Sequence, residues 1–173
     1  NGTEYTYQLT AVTGDIESPK SNTASATPAV TRPVSRDRQV KIMNIGDSTC
    51  GGFPTTDGGW RPHLLNALYS DGYAVKFVGS MTWPLIWPDM GYGQPCHESY
   101  GRRTISNIKD GVIQRAFTSY DPDIVLLFIG TNDFSTSTNA DAAVQSILKD
   151  YSALLGKILT LQPEVNVLVA PVL

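Results

Sequence analysis

From Val40 onward, short apolar runs alternate with longer segments of helical periodicity, and few folds accept that pattern. Val40–Ile45, Val75–Val78, Asp123–Ile129 and Val165–Val172 read as strands. Between them, Gly59–Asp71 places Leu64, Leu65 and Leu68 on one face, and Thr104–Tyr120 does the same with Ile105, Ile108, Val112, Ile113 and Ala116. Ala140–Leu161 carries Val144, Ile147, Leu148, Tyr151, Leu154, Leu155 and Ile158 at helical spacing, which predicts a long helix with these side chains inward. Gly72 stops the first helix and Asp121-Pro122 the second. Strands alternating with helices predict an α/β fold with a parallel sheet, and the unbroken apolar run Asp123–Ile129 predicts a strand buried on both faces.

The first thirty residues follow another rule. Tyr5, Tyr7, Leu9 and Ala11 recur with a period of two, and Asn22–Thr27 is a second short strand closed by Pro28. Two strands cannot build a core of their own, so residues 1–30 are expected to be the end of a β-domain. Residues 31–38, polar and containing Pro33, read as a linker, which leaves 39–173 as the α/β domain. The chain begins at Asn1 without Met and ends at Leu173 inside an apolar run, so it is expected to be a piece of a longer protein. A net charge of −3 with no basic run argues against a nucleic-acid partner. No segment is apolar for the length of a membrane span, so a membrane partner is not expected. The two cysteines, Cys50 and Cys96, fit no metal spacing, and both a disulfide and two free thiols stay open.

Polar signatures stand at the carboxyl ends of three predicted strands or in the loops beyond. The first is Gly46-Asp47-Ser48 and the third is Gly130-Thr131-Asn132-Asp133. The second strand leads through a long loop rich in Trp, Pro and Gly to His97-Glu98-Ser99-Tyr100-Gly101 at the mouth of a helix. Parallel strands bring these ends to one edge, where open α/β sheets bind ligands. Ser48 offers a hydroxyl nucleophile. The N–H groups of Ser48 and Gly101 and the amide of Asn132 offer donors for an oxyanion. Gly79 is a second glycine that could fill the place given to Gly101. His97, Tyr100 and Trp83 are candidates for substrate contact. A structural reading stands beside each: Asn132 could cap a turn, Gly101 could open a helix, and the aromatic residues could form the loop's own core. His63 is expected to pack or face solvent, and Arg102 and Arg103 to be solvated.

Gly46-Asp47-Ser48, Gly101 before a helix, and Gly130-Thr131-Asn132-Asp133 resemble successive blocks of the SGNH, or GDSL-type, hydrolase superfamily. Gly59-Trp60-Arg61, Gly72-Tyr73-Ala74-Val75, Phe77-Val78-Gly79-Ser80 and His97-Glu98 resemble carbohydrate esterases of the acetylxylan-esterase kind. The resemblance implies a flavodoxin-like three-layer sandwich with strand order 2-1-3-4 and a fifth strand missing. It implies a serine esterase that removes acyl groups, foremost acetyl, from a polysaccharide through an acyl-enzyme. Ser48 would be the nucleophile, with Gly101 and Asn132 in the oxyanion hole, and Asp47 and Asp133 would fix loops. No metal or organic cofactor is implied. The superfamily's Asp-x-x-His block, which supplies the base, has no counterpart in this sequence, so the chain is expected to be C-terminally truncated and nearly inactive by itself. A lipase or thioesterase of the same superfamily, or a non-catalytic carbohydrate-binding module, are the alternatives. Residues 1–30 resemble the last two strands of a fibronectin type III module, with Tyr5 as its corner tyrosine, which implies a secreted, extracellular parent.

Overall fold

A computed structural model describes residues 4–8, 12–13, 15–17, 19–27, 32–82, 96–135 and 140–170. The chain forms two compact units, 1–31 and 32–173. In the first, β1 (Tyr5–Tyr7) pairs antiparallel with β4 (Ala24–Ala26). Between them in the chain, β2 (Val12–Thr13) and β3 (Ile16–Glu17) make a small hairpin. Tyr5 is 51% exposed.

The second unit is built on β5 (Val40–Gly46), whose neighbours are all parallel. β6 (Val75–Val78) pairs with its first half, and β7 (Glu98–Ser99) with Ile45 and Gly46. β8 (Ile124–Phe128) lies on the other side, and β9 (Asn166–Val169) pairs with β8. The order β6-β5-β8-β9 is the predicted 2-1-3-4, with β7 as an addition the sequence did not announce.

Helices cover both faces, as expected of a three-layer sandwich. On one face Met43, Ile45, Val125, Leu127 and Ile129 pack against α2 (Ile105–Gly111), α3 (Ile113–Tyr120) and α5 (Ala140–Leu161). On the other, Val40, Ile42, Val75 and Phe77 meet Leu65 of α1 (Trp60–Ser70). Each such fully buried side chain contributes about 1.5–3 kcal/mol. The short α4 (Thr131–Ser135) follows β8.

Three expectations change. The helix expected over 104–120 is divided at Val112, whose φ of −119° leaves the helical range beside Gly111. On α5 the inward stripe runs Ala143, Ile147, Leu154, Ile158, while Val144 and Leu148 are 38% and 51% exposed. Each follows a stripe residue by one position, about 100° round the helix. Strand β8 is fully buried only at Val125 and Leu127; Ile124, Leu126 and Phe128, on the α1 side, are half-buried.

Residues 32–38 are held under the amino-terminal edge of the sheet. The Arg32 N–H donates to Glu164 O at 2.7 Å, and Asn166 Nδ2 donates to Arg32 O at 3.0 Å. Asp123, just before β8, is almost fully buried and pairs with Arg38 at 2.9 Å and Arg32 at 3.4 Å. It also accepts the Lys41 N–H at 2.8 Å. Burial alone would raise the Asp123 carboxyl, but the Arg38 hydrogen bond, the Lys41 N–H and the neighbouring cations outweigh it and hold it below the ordinary carboxylate range.

Candidate functional site

The carboxyl edge of β5 turns sharply after Gly46. A Cβ on Gly46 would sit 1.9 Å from Phe128 O, so only glycine lets β5 and β8 come this close. Asp47 then folds the chain back. Its Oδ1 accepts the Thr49 N–H at 2.9 Å, and its carbonyl accepts the Gly51 N–H at 3.1 Å. Ser48 is left half-buried at the tip, and its carbonyl accepts the Phe53 N–H at 2.9 Å. Among the described residues, no group bonds the Ser48 hydroxyl.

The second polar segment reaches the same place through β7. The Tyr100 N–H donates to Gly46 O at 2.9 Å, which ties the next turn to the end of β5. A Cβ placed on Gly101 would lie 4.0 Å from the Ser48 Cβ, so these two candidates are adjacent. Gly79 is placed differently. Its φ is +148° and an added Cβ would fall 2.3 Å from the His97 carbonyl carbon, beneath the Met81–His97 bridge. It serves the close approach of two chain segments.

Asn132 and Asp133 lie on α4, directly after β8. Asn132 Nδ2 donates to Arg103 O at 3.0 Å, joining α4 to the turn that holds Gly101. Both Asp133 oxygens accept the Ile105 N–H at 3.2 Å, at the amino end of α2. Burial raises the Asp133 carboxyl in spite of that bond. Asp47 and Asp133 thus each bind backbone N–H groups in the loops they were expected to fix.

Ser48, Phe53, Met81, His97, Ser99 and Gly101 line a small cavity of about 230 Å³. His97 is buried, and its Nδ1 accepts the Ser99 N–H at 3.0 Å. In the neutral ring, an Nδ1 that accepts leaves the proton on Nε2. His63 is exposed on α1. Tyr100 directs its hydroxyl to Ser80, Glu98 and Arg115, and it does not line the cavity. Trp83 lies outside the described residues, as do Trp87 and Tyr92. Arg102 and Arg103 are exposed. Cys50 and Cys96 are free thiols; burial pushes the Cys50 thiol up to about 12, which keeps it protonated and unreactive. Among the described residues, no group of three or more His, Cys, Asp or Glu is arranged to hold a metal ion. No described helix is long and apolar enough to cross a membrane.

Phe53, Met81 and Ser99 reach the cavity without having been singled out in the sequence. Only the pairing of β7 with β5 brings Ser99 there, and a two-residue strand has no periodicity to read.

Comparison with known proteins gives a consistent answer. The sequence profile of the GDSL-like lipase/acylhydrolase family matches residues 42–173. A multidomain esterase of Ruminococcus flavefaciens is 32% identical over 132 residues, which are 66% of this chain and 17% of that protein. A solved family 3 carbohydrate esterase of Clostridium thermocellum has a TM-score of 0.62 and 30% identity, over 76% of this chain and 61% of its own. An acetyl esterase variant solved with an acetate ion has a TM-score of 0.61 and 29% identity, over 75% of this chain and 60% of its own. The chain therefore spans a minor part of the first relative and about three-fifths of the solved ones. With a profile match over residues 42–173, most of its length, the chain belongs to the GDSL-like lipase/acylhydrolase family.

Proposed function

We propose that the protein carrying this chain is a serine esterase that removes short acyl groups, foremost acetyl, from a polysaccharide. The observation that carries the reading is the adjacency of Ser48 and Gly101 on one small cavity. Ser48 attacks the ester carbonyl. The oxyanion is received by the Ser48 and Gly101 N–H groups and by the Asn132 amide, giving an acyl-enzyme that water resolves. His97 lines the cavity and contacts substrate in this reading.

About 230 Å³ is below the usual range for sites that hold drug-sized ligands, which favours acetyl over a long acyl chain. The relatives' names, a carbohydrate esterase and an acetyl esterase, support the substrate class. The reading gives the base neither to His63, exposed on α1, nor to His97, whose Nδ1 accepts the Ser99 N–H, and assigns it to the superfamily's Asp-x-x-His block. Residues 1–30 keep their reading as the end of a fibronectin type III-like module, and secretion belongs to the same proposal.

The test is hydrolysis by the full protein of p-nitrophenyl acetate and p-nitrophenyl decanoate. Acetate should be cleaved and decanoate poorly, and Ser48→Ala should lower the acetate rate by at least about 1,000-fold. Activity that survives Ser48→Ala would refute the nucleophile, and a preference for decanoate would refute the short-acyl reading.

A further inference from the structure

Behind the Gly101 turn lies a buried charge that the esterase reading does not use. The Glu98 side chain is fully buried on β7. Its Oε1 accepts the Ser80 N–H at 2.7 Å, and its Oε2 accepts the Tyr100 hydroxyl at 2.6 Å and Arg115 Nη2 at 2.9 Å. The Tyr100 oxygen also stands 2.9 Å from both Ser80 Oγ and Arg115 Nη2. Four places in the chain meet here: the end of β6, β7, the Gly101 turn and α3. Burial, followed by the hydrogen bond to Glu98, pushes the Tyr100 hydroxyl above its ordinary value, so it remains a donor. A buried carboxylate is a costly way to join packed elements, since apolar side chains of similar volume do so without desolvating a charge. Its return here is directional. It fixes the residue immediately before Gly101.

The rest of the turn is held at its other corners. The Tyr100 N–H is bonded to Gly46 O, and the Arg103 N–H reaches back to Tyr100 O at 3.4 Å. Arg102 sits at φ +61°, a left-handed conformation uncommon for arginine. Gly101 itself is exposed, so its N–H direction depends on these anchors. An oxyanion donor works only when aimed beforehand at the place where charge develops.

We propose that Glu98, Arg115 and Tyr100 are positioning residues that hold the Gly101 N–H toward Ser48. The inference rests on the esterase reading. None of the three lines the cavity, so they act through the turn and not on the substrate.

The test uses the full protein and p-nitrophenyl acetate, with Ser48→Ala, Tyr100→Phe, Arg115→Met and Arg115→Lys. Arg115 is half-exposed, so Arg115→Met opens no cavity, but it leaves buried Glu98 without its cation, so the folding of each variant is checked by urea unfolding before kinetics. Tyr100→Phe and Arg115→Met should lower kcat on the order of tenfold with KM within about twofold, and Arg115→Lys should recover most of the loss. Affinity for a boronic acid that mimics the tetrahedral intermediate should fall by the same factor as kcat. If Ser48→Ala is inactive while Tyr100→Phe and Arg115→Met keep wild-type kcat and boronate affinity, the positioning role is wrong and the esterase reading stands. If they raise KM alone, the residues contact substrate and the inference is equally wrong. Activity remaining in Ser48→Ala overturns the esterase reading, and the inference with it.

Discussion

Gly79 and Gly101 show how one residue type serves opposite ends at the same edge of the sheet. At Gly79 the backbone is left-handed and a methyl group would enter the His97 main chain. Gly79→Ala should therefore cost about 3 kcal/mol in urea unfolding, from strain and overpacking together. At Gly101 a methyl group meets only the Ser48 Cβ, at an ordinary 4.0 Å. Gly101→Ala should leave stability within about 1 kcal/mol of wild type but lower esterase kcat, because the methyl enters the cavity beside Ser48, the proposed nucleophile. A sequence reader can see both glycines but cannot tell them apart. The distinction lies in what each faces across the chain. Ser48 and Asn132 were legible as candidates because each closes a strand with a recognisable polar block. Tyr100 was placed near the right loop, but the direction of its hydroxyl depends on Arg115 from a later helix, and no local pattern records that.

The longest element was read well, and two of the shortest were missed. α5 matches its expected limits, Ala140–Leu161, because a long helix repeats its period several times. β7 and α4, with two and five residues, give too short a sample for periodicity, yet they carry or adjoin the residues of the site. The division between α2 and α3 was missed because the apolar spacing continues through it, and so does the Ala116 N–H to Val112 O bond at 3.0 Å. Gly111 is exposed, has no strained φ, and a Cβ there would touch nothing within 4 Å. Gly111→Ala should therefore stabilise the domain by about 1 kcal/mol through helix propensity, measured by thermal or urea unfolding. A loss instead would mean that the break at Val112 is required by packing.

At the scale of the α/β unit, the candidate site and the anchoring occupy opposite edges of one sheet. The carboxyl edge carries Ser48, Gly101 and Asn132, while Asp123 and its cations fasten residues 32–38 at the amino edge. Because the Asp123 carboxyl is held below its ordinary value, its stabilisation is present above the unfolded value of about 3.9 and is lost as pH falls through the lower folded value. Asp123→Asn should cost about 2 kcal/mol at pH 7, and the gap should close as the medium is acidified below that ordinary value, as read from urea unfolding across pH. Esterase kcat should be unaffected. The strand order was legible as part of a family pattern. The anchoring was not, since arginines before a strand look solvated until the buried aspartate appears beneath them. The sheet's far side has a practical consequence. Among the described residues β9 pairs only with β8, and its Leu168 and Val169 are 55% and 47% exposed. An apolar strand with open hydrogen-bonding groups is a template for another copy. When these 173 residues are handled in isolation, aggregation would begin at that strand, and the yield of soluble material would be governed there and not at the edge that carries Ser48.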